Sequence, residues 1–172
     1  MSLTPDQKAL VRAAEETCSQ LYEGRVTPHR SCGIALAETF GVPTPAYQSL
    51  RRGGITGCGE CGAVVAGRLI LGERLGDSDP TGPVTPSLRA AMLEYERLWQ
   101  ASLDRGEAPG GDIVCNHLTG QFETFRSKER ADFCTKVAAT AAAACAEALL
   151  AHGGHLSITP ISELTVAASD DA

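Results

Sequence analysis

Five Thr-Pro dipeptides punctuate the chain, at Thr4-Pro5, Thr27-Pro28, Thr44-Pro45, Thr85-Pro86 and Thr159-Pro160. A threonine hydroxyl caps a helix, and proline suits the first helical position, where its missing N–H costs nothing. The first four dipeptides each open a segment with helical spacing, so the expected fold is all-α. A chain of 172 residues suggests one domain with a sizeable core. The expectation is a single-domain bundle of about five to six helices over residues 1–157, followed by a flexible tail over 158–172.

The helices follow in order. Pro5 to Glu23 carries a capping-box pair, Thr4 and Gln7, and an apolar stripe of Leu10, Ala14, Cys18 and Leu21. Cys18 reads as a small core residue. Pro28 to Phe40 is the second helix, closed by Gly41. His29 and Cys32 lie three apart on it, a spacing that suits a ligand pair and equally a capping histidine beside a buried thiol. Pro45 to Arg52 is a short third helix. Pro86 to Arg105 is amphipathic, with Leu88, Met92, Tyr95 and Trp99 facing inward as core rather than as a cofactor box. Asp112 caps a short turn, Ile113 to Thr119, holding Cys115 and His117. Ser127 to Ala151 is alanine-rich, with Cys134 and Cys145 on one face. Cys145 reads as core, and Cys134, nearer the helix start, as the better functional candidate. His152 and His155 read as a frayed helix end rather than a metal pair. Within the tail, Ile161 to Val166 offers a short apolar peptide for docking.

The third of these helices delivers the chain into the stretch Gly53-Gly54-Ile55-Thr56-Gly57-Cys58-Gly59-Glu60-Cys61-Gly62. So many glycines make an ordinary helix costly, but they let the chain fold back and aim several N–H groups at one place. The apolar run after it, Cys61 to Leu75, suits a buried strand or a helix. Helix is preferred, because Val64, Leu71 and Leu75 repeat at seven and four, and Gly67 and Gly72 would let backbones approach. Cys61 then stands at a helix N-terminus, where the dipole and free N–H groups favour a thiolate. Arg68, two turns on, either stabilises that sulfur or snorkels outward.

Seven cysteines accompany a net charge of −6. The acidic balance and the lack of a basic cluster argue against nucleic acid and anionic membranes. No run of about twenty apolar residues suggests a bilayer span. The N-terminus, Met1 to Asp6, has no basic and apolar signal pattern, and a cytoplasmic location is expected. Structural disulfides are unusual there, and the odd count fits a fully paired framework poorly. The cysteines therefore point to metal ligation or redox chemistry. No nucleotide-phosphate loop and no His-Glu-x-x-His helix is present.

The order Cys32, glycine loop, Cys115, Cys134 resembles the redox-active protein family named for its C…GCAxxG…C…C signature. Gly57-Cys58-Gly59-Glu60-Cys61-Gly62 is similar to the GCAxxG element, with Gly59 in place of alanine, and Ser31-Cys32-Gly33-Ile34-Ala35 to the first cysteine box. Cys61 to Gly67 is similar to the Cys-Gly-Ala run after the loop, and Cys115 and Cys134 take the last two places. The similarity covers roughly Thr27 to Leu150. It implies an all-helical soluble protein with a redox role. Relatives that carry haem have Cys-x-x-Cys-His sites; none occurs here, and haem is not expected.

Three functions follow from these residues. In the first, Cys32, Cys58 or Cys61, Cys115 and Cys134 converge to hold an iron–sulfur cluster, most simply [2Fe–2S], for electron transfer. Zinc in the same four-sulfur site is the redox-silent form. In the second, Cys58 and Cys61 form a thiol–disulfide pair, one attacking and the other resolving, with Glu60 and Arg68 tuning it. In the third, the chain is a metal-free helical interaction protein. The expected partners are a redox protein or a small thiol or metal substrate; a homodimer is left open.

Overall fold

The structure is a computed structural model that describes residues 2–162. The fold is all-α: α1 Pro5–Glu23, α2 Cys32–Thr39, a 3-10 helix Pro45–Leu50, α3 Gly62–Leu75, α4 Pro86–Ser102, α5 Cys115–Thr119 and α6 Lys128–Ala151. Among the described residues there is no strand, only one isolated antiparallel bridge between Glu60 and Val114. Helix rather than strand is thus what the run after Cys61 adopts. Gly67 shows why its glycines fit. A methyl group there would collide with the Tyr95 ring of α4, and the Gly67 carbonyl instead accepts from the Cys145 thiol of α6 at 3.7 Å.

The organising element is α6, which packs against α1, α2, α3 and α4. Its inner face is made of Ala138, Ala141, Ala142, Ala144, Ala146 and Ala148, with Cys145 and Leu149. Short side chains let neighbouring helices lie close, so backbone and small thiols meet directly. The Cys18 thiol donates to the Ala138 carbonyl at 3.5 Å. Cys18 and Cys145 are fully buried, as a core role requires. Among the described residues, α6 has the length and apolarity of a membrane-crossing helix, but 61% of its apolar window is buried within the protein. Alanines give it that apolarity, and their burial is that of a core helix.

The α1 boundaries match the spacing argument. Gln7 N–H donates to Thr4 Oγ1 at 3.2 Å, and Thr4 N–H to Gln7 Oε1 at 2.9 Å, the reciprocal pair of a capping box. The inward stripe of α4 holds as well: Tyr95 and Trp99 are buried, and Leu88 and Met92 pack on the core. Four boundaries differ. The short turn expected from Ile113 under an Asp112 cap is a helix that begins at Cys115, with Val114 at its N-cap. The second helix starts at Cys32 rather than Pro28, because Thr27 to Ser31 turns back against α1, with Arg30 N–H bonded to the Leu21 carbonyl and its guanidinium paired with Glu38. The Pro45 segment is a 3-10 helix that ends at Leu50. The α4 helix ends at Ser102, with Leu103 extended. After α6, Ile158 and Ile161 pack against the core; Glu163 to Ala172, which include most of the Ile161 to Val166 stretch, lie outside the described residues.

Candidate functional site

The glycine loop and the segment before α5 are held together by their main chains. Cys61 N–H donates to the Ile113 carbonyl at 2.7 Å, Cys115 N–H to the Gly59 carbonyl at 2.9 Å, and Asn116 N–H to the Gly57 carbonyl at 2.9 Å. This pairing carries Cys115, more than fifty positions away in sequence, to the side of Cys61. Two glycines make it possible. Gly57 has φ +81, and a Cβ there would collide with the Asn116 side chain; Gly53 has φ +55, and its Cβ would lie 2.6 Å from the Cys115 Cβ. Within the same loop Arg52 and Ile55 also hold positive φ, 49 and 70. Such a backbone costs side-chain-bearing residues energy, and it persists only where surrounding contacts dictate it.

Four of the candidate cysteines line one cavity of about 400 Å³: Cys32, Cys61, Cys115 and Cys134. They come from four segments. Cys32 is the first residue of α2, Cys61 the N-cap of α3, Cys115 the first residue of α5, and Cys134 lies in α6. Cys58 is exposed and does not line the cavity. Gly62 lets α3 approach α2: a Cβ there would meet the Leu50 carbonyl and lie 3.0 Å from the Cys32 sulfur. All seven cysteines are unpaired. Among the described residues no three His, Cys, Asp or Glu side chains stand close enough to hold one metal ion.

As free thiols the four are neutral at physiological pH. Burial pushes Cys32 from 9.0 to about 12, against the pull of the Gly33 N–H. Burial raises Cys61 further, with the nearby Cys32 sulfur, and outweighs the Val64 and Ala63 N–H groups that pull the other way. The helix N-terminus does act on Cys61, as its position suggests, but desolvation dominates. Burial also raises Cys134 and Cys115, opposed at both by the Arg130 guanidinium. Arg130 approaches the Cys134 sulfur at 3.8 Å, and the nearby Tyr22 hydroxyl also pulls that thiol down.

His29 lines the cavity, with Nδ1 against the Tyr22 carbonyl and its ring edge-on to Tyr22 at 4.9 Å. Arg68 is not spent on sulfur. It bonds Glu96 at 2.7 Å and also pairs with Glu60, fastening the residue between Cys58 and Cys61 to α4. His117 pairs with Asp112 at 3.0 Å at the surface, outside the cavity lining. His152 is the C-cap of α6.

Arg52, Phe125, Arg130 and Tyr22 also line the cavity and were not candidates by spacing. Arg130 had one readable sign, since it stands four residues before Cys134 on one helix face. Arg52 and Phe125 had none, because loops bring them in. No family model, curated protein or solved structure matches the chain.

Proposed function

We propose that this chain is a cysteine-rich redox protein whose cavity binds an iron–sulfur cluster, most simply [2Fe–2S], through Cys32, Cys61, Cys115 and Cys134. The observation that carries the reading is that four thiols from four distant segments face one enclosed space. Four cysteines are the usual ligands of such a cluster, and the donor set fits. A cluster spreads its thiolates over separate corners, so its ligands stand farther apart than those around one ion. The described side chains do not converge tightly enough for a single ion, which counts against zinc in a four-sulfur site. The bound group would supply one-electron transfer.

The chain's own residues supply the rest. N–H groups at the starts of α2 and α3 point at Cys32 and Cys61 and favour sulfur that carries negative charge. Arg130 and the Tyr22 hydroxyl do the same for Cys134. Apolar Phe133, Leu118 and Val137 keep water from the sulfurs. Cys58, at the surface, is left outside the ligand set. The cytoplasmic location and the resemblance in cysteine order belong to this reading, since free thiols persist in a reducing compartment.

The thiol–disulfide alternative rests on the Cys58–Cys61 pair. It needs an attacking thiolate, and burial holds Cys61 protonated while Cys58 sits outside the cavity. Anaerobic purification with visible absorption and iron and sulfide analysis tests the proposal. A coloured protein with iron and acid-labile sulfide in equal amounts is expected, lost in Cys61→Ser and Cys115→Ser and kept in Cys58→Ser and Cys145→Ser. A colourless, iron-free protein with every thiol titratable overturns it.

A further inference from the structure

The rim of the cavity carries charge of one sign. Arg51 and Arg52 are exposed, Arg130 is half-buried, and no aspartate or glutamate lines the cavity. The chain as a whole is acidic, with net charge −6, and Arg25, Arg30, Arg68 and Arg97 all pair with carboxylates. Among the described residues Arg51, Arg52 and Arg130 have no such pair. The Arg52 and Arg130 guanidiniums both lie against Phe125, at 4.8 and 4.1 Å from its ring centre. Their central carbons are therefore no more than about 9 Å apart, the sum of those two distances. Two like charges so close repel through a partly desolvated medium. Stacking on one ring holds them in place.

We propose that the outer part of this cavity is a binding site for a small organic carboxylate. The Arg52 and Arg130 guanidiniums receive the carboxylate, and the apolar body lies along Phe125, Leu118, Phe133 and Val137. A carboxylate accepts on two oxygens and donates nothing, which matches the guanidinium N–H donors. The remaining wall is apolar, so the anion carries a hydrocarbon part; a bare inorganic oxyanion leaves that wall without a partner. A volume of about 400 Å³ falls within the range of small-molecule sites. The exposed rim and the more buried Cys61 divide the space, with the anion outside and the sulfurs within. The site stands without any metal, because its donors belong to the chain itself.

The test uses the full chain, reduced and treated with chelator, titrated calorimetrically with benzoate, benzamide and inorganic phosphate. Benzoate is expected to bind saturably, with benzamide at least about tenfold weaker for want of charge. Arg130→Gln and Arg52→Gln each weaken benzoate about tenfold or more, whereas Arg126→Gln, exposed and outside the cavity, leaves it unchanged. Circular dichroism checks that each variant is folded. Benzamide binding as tightly as benzoate, or arginine variants that bind it normally, overturns the proposal. Phosphate binding as tightly as benzoate overturns the organic class. Iron and sulfide content reports separately on the cluster. Benzoate binding in a chain that takes up no iron still supports the site. No benzoate binding in a chain that does take up iron overturns it and leaves the guanidiniums as counter-charges to the cluster.

Discussion

The state of Cys32 separates a resting ligand from an attacking thiol, and its reactivity follows from its surroundings. Burial moves its thiol from 9.0 to about 12. At pH 7.5 this lowers the thiolate fraction roughly a thousandfold relative to an ordinary cysteine. A more basic thiolate is a better nucleophile, and a Brønsted slope of about 0.4–0.5 returns roughly 15–30-fold of that loss. The net expectation is exchange with a small neutral disulfide about 30–60-fold slower than in a free cysteine peptide, before any hindrance from the cavity wall. The assay treats reduced, metal-free protein with 4,4'-dithiodipyridine, quenches with acid, and reads each cysteine by peptide mass spectrometry. Urea should abolish the difference, because it removes the burial that causes it. Raising the pH toward 10 should speed Cys32 about tenfold per unit, since its thiol stays mostly protonated over that range. A Cys32 that reacts within threefold of the free peptide at pH 7.5 would refute the reasoning.

The core supplies further expectations. Cys18, buried and raised from 9.0 to about 12, stays protonated where the unfolded chain ionises. Its contribution is whole below pH 9 and is lost as pH climbs toward 12, a fall of about 4 kcal/mol at most. Urea midpoints at pH 8 and 10 should therefore drop less in Cys18→Ala than in wild type, and equal drops would count against it. Gly62→Ala would push a methyl onto the Leu50 carbonyl and the Cys32 sulfur, an overpacking cost of about 1–3 kcal/mol readable by urea denaturation; no loss would mean α2 and α3 can separate freely. Tyr95→Phe removes the hydroxyl that donates to the Val64 carbonyl at 3.0 Å. It should cost about 0.5–1.5 kcal/mol, measured the same way.

Local chemistry was legible in the sequence, and long-range placement was not. Thr4, Pro5 and Gln7 specify the start of α1 within four residues, so its boundary could be read directly. Pro28 carries the same dipeptide signal, yet Arg30 is drawn to α1 and to Glu38, and the helix waits until Cys32. That competition involves residues on two elements, which spacing does not express. The grouping of Cys32, Cys115 and Cys134 with the loop was legible from glycines and helix starts. Which of Cys58 and Cys61 turns inward was not, because the Glu60–Val114 bridge decides it. The cationic rim escaped for the same reason: Arg52, Phe125 and Arg130 meet through two loops and a helix end that share no periodicity.

The loop carrying Cys61 and the segment carrying Cys115 recognise one another through amides and carbonyls. Such an interface is nearly blind to the identity of Val114, which is half-buried and whose side chain takes no part in those bonds, and it is acutely sensitive to bulk at Gly53 and Gly57. Descendants of this chain could therefore drift at Val114 and still seat both sulfurs, whereas a single added methyl at either glycine would unseat them.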